Sequence, residues 1–274
     1  MSSFEKEYYE SDRFWEGEML KDPANRERIV VTASLIPTNI KTLADIGCGN
    51  GVFINHLLDN YENLQLTGVD RSETALKSVR ADKVEADIAD LPFADNHFDC
   101  VTCLEVIEHL PIPVYTKALR ELARIAKNHI IISVPFQEKL ENSYTRCPAC
   151  RSVFNKDLHL RSFNEQDIGS LLNEFGFQCV SSRKLNPISN FVGHDLYRRL
   201  FYPEQFEGWD SPICPICGFA QRSNGMPANS AHLTENVPSK RKWISYLSGL
   251  PKLFWPKKTH FYWIIARYDR VRSG

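Results

Sequence analysis

Long apolar runs are missing from this chain: nowhere in its 274 residues does one approach the ~18 needed to cross a bilayer. A signal-peptide core is missing too, since the opening MSSFEKEYYESDRFW is charged and aromatic. Neither sign of charge is in surplus, with 33 Lys or Arg against 34 Asp or Glu. These absences give a cytoplasmic expectation, in which the eight cysteines read as thiols or metal ligands rather than disulfides. The composition is otherwise ordinary, 43% hydrophobic and 24% charged. The length suits one sizeable α/β domain plus an insertion.

Two nucleotide-binding spellings are also absent. There is no GK followed by Ser or Thr, as a Walker loop requires, and no dinucleotide GxGxxG. What stands instead is LADIGCGNG at 43–51, an apolar run ending in Asp45 and then Gly47, Gly49 and Gly51 at alternate positions. The run passes into VFINHLLDN, so the segment reads as strand, loop and helix, with a loop that lets a ligand lie against bare backbone. A second strand, LQLTGVD, carries Asp70 at its carboxyl end, placed to accept hydrogen bonds from ribose hydroxyls. Ser72 caps the following ETALKSVRA, and then come VEADIADLPFADNHFD, the strand FDCVTCL and EVIEHL.

In order and spacing these segments resemble the class I S-adenosylmethionine (SAM) methyltransferases over residues 40–135. The resemblance implies that Asp45 helps hold the methionine end of the cofactor and that Asp70 takes the ribose. It places Asp87 near the adenine amino group, with Ile88 and Leu104 beside the cofactor. It also implies an α/β fold: a doubly wound, mostly parallel seven-stranded sheet, with a C-terminal insertion between the last two strands. The alternation supports that expectation. Helix VYTKALRELARIA at 114–126 precedes the apolar strand HIIISVP, Asn164 caps NEQDIGSLLNEFG, and the strands QCVSSRKL and FYWIIARYD follow. The domains expected are an N-terminal helical cover (1–36), a SAM-binding core (37–186), an insertion (187–259) and a final strand and tail (260–274). Phe14 and Trp15 in the cover either close over a ligand or simply pack.

One short spelling occurs twice. CPAC at 147–150 and CPIC at 214–217 each set two thiols on a proline-started turn, and together Cys147, Cys150, Cys214 and Cys217 suit a tetrahedral structural zinc. The 63 residues between the turns far exceed the ~15 to 20 of ordinary zinc ribbons, so joint ligation requires the segments to meet in space. Cys100 and Cys103 share the spacing but lie on a strand, where an offset of three points to opposite faces and therefore to core.

The chemistry is expected at the end of the fourth strand. In EVIEH, offsets of zero, three and four bring Glu105, Glu108 and His109 to one face if the segment is helical. The simpler role makes His109 a general base, with Glu105 near the cofactor. The sharper one is a divalent site, Mg2+ or a similar ion, held by Glu105, Glu108, His109 and His159. That set is similar to the one in metal-dependent small-RNA 2′-O-methyltransferases and ubiquinone-pathway O-methyltransferases.

Charge is uneven along the chain. Residues 240–274 carry nine Lys or Arg against one acid, and the remainder is net −9. The segment 240–258 mixes these cations with aromatic and aliphatic residues, a composition suited to peripheral contact with the inner face of a membrane. The expected reaction is methyl transfer to oxygen or nitrogen of a small molecule, sugar or lipid-linked glycan. An RNA 2′-O-methyltransferase and a non-catalytic SAM-fold interaction module are the alternatives. The acidic residues 1–239 weigh against nucleic acid.

Overall fold

The computed structural model describes residues 9–10, 22–191, 214–219 and 257–271. Phe14, Trp15 and residues 240–256 therefore lie outside the described residues.

The core alternates strands and helices in the expected order. Helix α1 (Pro23–Ser34) starts on an Asp22 cap and leads to β1 (Thr42–Ile46), α2 (Val52–Asn60), β2 (Gln65–Asp70), α3 (Glu73–Leu76), β3 (Asp82–Glu85) and β4 (Phe98–Leu104). After a 3₁₀ turn at Ile107–His109 come α4 (Ile112–Ile125) and β5 (Ala126–Pro135). A small ribbon, β6 (Tyr144–Arg146) and β7 (Val153–Asn155), precedes α5 (Glu165–Ser170) and the closing hairpin β8 (Phe177–Phe191) and β9 (Lys257–Arg270).

Seven strands form one sheet in the order β3-β2-β1-β4-β5-β9-β8. The first five pair in parallel and β9 runs antiparallel to both its neighbours. Alternating side chains feed opposite faces. In β5, Ile130 and Ile132 pack with Leu119 and Leu122 of α4, whereas Ile131 packs with Ile29 of α1 and Leu57 of α2. Cys100 and Cys103 divide the same way, one into each layer, both fully buried. This is the core role their strand spacing predicts.

Three elements differ from their sequence patterns. ETALKSVRA is helical only over Glu73–Leu76, and the 164–176 helix stops at Ser170, followed by a 3₁₀ turn at Asn173–Phe175. Its start follows expectation: the Asn164 side chain accepts from Asp167 N–H while the Asp167 carboxylate accepts from Asn164 N–H. The hairpin is longer than QCVSSRKL and FYWIIARYD suggest, pairing from Phe177↔Arg270 to Phe191↔Lys257.

Candidate active site

The carboxyl ends of β1, β2 and β4 converge on a cleft of about 300 Å³. Its floor is the glycine turn. Gly47 and Cys48 both donate to the carbonyl of Val69, at 2.7 and 3.0 Å, and fold the chain tightly over the end of β2. Gly47 has φ 74, and a Cβ there would sit 2.4 Å from Val106 Cγ2. Only glycine satisfies both conditions. Gly49 and Gly51 also take positive φ, and Gly51 begins α2.

The acids are placed by this backbone. Asp70 accepts from Gly49 N–H at 2.8 Å and from Ser72 N–H at 2.9 Å, which fixes its carboxylate against the turn. Burial still raises its pKa, because those hydrogen bonds only partly replace water. Asp45 is 2% exposed and accepts from Thr102 Oγ1 at 2.6 Å. Burial, with the charge of Asp70 adding to it, pushes Asp45 up to about 7. Asp87 lines the cleft, and its Oδ1 accepts from Ala89 N–H at 2.9 Å. Ile88 and Leu104 line the cleft as well.

The segment after β4 is not an α-helix, and this changes what its polar residues can do. Glu105 lies at φ 57, in the left-handed region, and the chain then makes the 3₁₀ turn. Glu105 is consequently drawn away from Glu108 and His109. Its carboxylate accepts from Ser133 Oγ at 2.7 Å and Trp263 Nε1 at 2.8 Å, with Arg28 Nη1 at 3.8 Å. The expected metal quartet is corrected to a trio: Glu108, His109 and His159 each bring one ligand atom within 4.8 Å of the others.

That trio is buried and short of hydrogen bonds. Glu108 is fully buried and neither carboxylate oxygen has a hydrogen-bond partner, nor does Nδ1 of His109, although Nε2 of His109 lies 3.9 Å from Glu108 Oε1. Burial, reinforced by Glu105, holds the Glu108 pKa well above the carboxylate range. Burial and then the facing His159 push His109 down to about 3. A base in that range is mismatched to proton abstraction at neutral pH. A neutral imidazole with an open lone pair, beside an unpartnered carboxyl and a second imidazole, has the donor chemistry of a divalent-cation site.

The two CPxC turns meet. Cys147 Sγ lies 3.8 Å from Cys217 Sγ, and Cys150 Sγ lies 3.8 Å from Cys214 Sγ. The turns are built alike. Arg151 N–H donates to the Cys147 carbonyl and Gly218 N–H to the Cys214 carbonyl, with Arg151 and Gly218 both left-handed at φ 64 and 71. Four thiols at such separations suit one tetrahedral zinc.

Several cleft residues carried no readable sequence signal. Arg28 from α1 lines the cleft and lies over the Trp263 ring, 5.2 Å from its centroid. Tyr9 also lines it, under the Arg71 guanidinium, and its carbonyl accepts from Ser72 Oγ at 2.9 Å. They reach the site through the fold, from segments without a local motif.

Residues 44–132 match a family model described as a methyltransferase domain. An uncharacterized protein of Methanocaldococcus jannaschii is 35% identical over 152 residues, 52% of this chain and 61% of that one. A ubiquinone biosynthesis O-methyltransferase of Nitrosospira multiformis is 36% identical over 98 residues, 31% of this chain and 39% of that one. The matched segments thus span less than two thirds of either relative. Two solved structures share the fold at low identity. A SAM-dependent methyltransferase of Thermotoga maritima has TM-score 0.54 at 15% identity, covering 98% of this chain and 100% of that one. The Burkholderia thailandensis 1,6-didemethyltoxoflavin-N1-methyltransferase, with bound S-adenosylhomocysteine, has TM-score 0.52 at 14% identity, covering 98% and 86%. The domain match, the strand order and the glycine cleft agree: residues 44–132 carry a methyltransferase domain, set in the fold of the SAM-dependent methyltransferases.

Proposed function

We propose that this chain transfers the methyl group of SAM to an oxygen or nitrogen of a small molecule, sugar or lipid-linked glycan. The observation that carries the reading is the continuity of the cleft: the glycine turn, Asp45, Asp70 and Asp87 line the same cleft as Glu105 and His109. In this reading Asp70 takes the ribose hydroxyls, Asp87 faces the adenine and Asp45 meets the methionine ammonium. Methyl transfer from a sulfonium is an in-line displacement on an activated carbon, so the protein's main task is to align donor and acceptor.

Glu108, His109 and His159 are the residues that would hold a divalent cation such as Mg2+. The fit rests on the orphaned carboxylate oxygens of Glu108 and the orphaned Nδ1 of His109. Such a cation, when bound, lowers the pKa of a coordinated hydroxyl and orients it. Glu105 acts separately, bridging Ser133 and Trp263 beside Arg28. Cys147, Cys150, Cys214 and Cys217 are the residues that would hold a structural zinc, which would fasten the 214–219 segment to the ribbon that leads to His159.

Incubation with methyl-labelled SAM and cell extract, followed by separation of lipid, glycan, small-molecule, RNA and protein fractions, tests the acceptor class. Label in the first three fractions, lost in His109→Ala, is expected. Label confined to RNA would replace the acceptor class with the nucleic-acid alternative. No transfer into any fraction, together with no SAM affinity, would favour an interaction module.

A further inference from the structure

We propose that Glu138 is the positioning residue of the acceptor side: it fixes the tautomer and ring direction of His159 so that the ring's second nitrogen is presented to Glu108 and His109. The inference rests on the cation reading above and adds a residue to it. Glu138 Oε2 lies 2.5 Å from His159 Nδ1, with both side chains largely buried, at 16% and 9% exposure. A carboxylate that close places the ring proton on Nδ1, which leaves the lone pair on Nε2. The His159 ring packs edge-on against His109, centroids 4.7 Å apart, so this choice of tautomer acts directly on the cluster.

The backbone is arranged around the pair. Glu138 and His159 sit near the two ends of one excursion, closed at its base by the Phe136↔Phe163 bridge and by Gln137 N–H donating to the Phe163 carbonyl at 2.8 Å. The residue before each, Gln137 and Leu158, is left-handed at φ 50 and 59. Two such bends in non-glycine residues, one ahead of each partner, aim both side chains toward each other. Asn155 Oδ1 accepts from His159 N–H at 3.3 Å, and Leu160 N–H donates to the Glu108 carbonyl at 2.9 Å, locking the loop to the element that carries Glu108 and His109. An acidic partner on the far nitrogen of a ligating histidine raises its basicity and holds its direction, and losing one typically costs about 10- to 100-fold in metal affinity.

The test uses the full chain, loaded with S-adenosylhomocysteine, in titrations with Mn2+, a cation that suits carboxylate and imidazole and does not favour the cysteine cluster. Wild type, Glu138→Ala and Glu138→Gln are compared, with S-adenosylhomocysteine affinity and melting temperature recorded for each. Glu138→Ala is expected to weaken Mn2+ binding about 10- to 100-fold, and Glu138→Gln, which keeps an oxygen to accept from Nδ1–H, by less, while cofactor affinity stays within twofold. Equal Mn2+ affinity in wild type and both variants would overturn the role of Glu138 and leave the cation site standing. Absence of Mn2+ binding in the wild type would overturn the cation reading and the positioning role together. Should the alanine variant not fold, parity between the glutamine variant and wild type overturns the assignment by itself.

Discussion

Asp45 feels the charge of Asp70 in the cleft, with the hydroxyl of Thr102 as its hydrogen-bond donor, and Arg28 is the cation that partly offsets the repulsion. With its pKa near 7, Asp45 is half protonated at neutrality. A bound ammonium favours the carboxylate form, so the sign is fixed: cofactor affinity rises with pH through about 7 and falls below it. At lower pH the loss approaches roughly tenfold per unit, the cost of deprotonating the site before binding. Calorimetric titration of S-adenosylhomocysteine from pH 5.5 to 8 measures this slope, and Asp45→Asn should flatten it. Gly47 makes a sharper steric case. Gly47→Ala adds a Cβ 2.4 Å from Val106 and keeps φ at 74, so it should cost on the order of 1–3 kcal/mol of stability and abolish cofactor binding, as read by thermal unfolding and calorimetry.

At the scale of elements, the ribbon β6–β7 lies outside the seven-stranded sheet, and the cysteine cluster is where it meets the 214–219 turn. One zinc per chain is expected by elemental analysis, and Cys214→Ser should release it and lower the melting temperature. Cofactor affinity should survive, because the cofactor cleft is built on β1, β2 and β4. Helix α5 gives a calibrated comparison: its Asn164 capping box satisfies the first-turn amides, so Asn164→Ala should cost about 1 kcal/mol in chemical denaturation. Besides the shortened helices and the longer hairpin, sequence spacing misassigned EVIEH. An offset argument holds only for an α-helix, and the left-handed turn at Glu105 breaks the register before the 3₁₀ turn begins. Glu108, His109 and His159 still come together because the backbone of Leu160 bonds to that of Glu108.

Across the whole molecule, what sequence could disclose followed from locality. The glycine turn, Asp70 and Asp87 lie on successive strand ends within one stretch, where their order carries the family resemblance, and the CPxC turns are complete short motifs. Arg28, Trp263 and Glu138 had no such mark. Trp263 reaches Glu105 across 158 positions, because β9 inserts antiparallel between β5 and β8. Glu138 meets His159 only because the Phe136↔Phe163 bridge closes the excursion between them. Among the described residues no helix is long and apolar enough to cross a membrane. The central claim is that the glycine cleft seats SAM through Asp70, and calorimetric titration of the full chain with SAM, in wild type and Asp70→Ala, tests it most directly. The account predicts one binding site per chain in the wild type and loss of binding in the variant; absence of wild-type binding, or equal affinity in the two proteins, would contradict it.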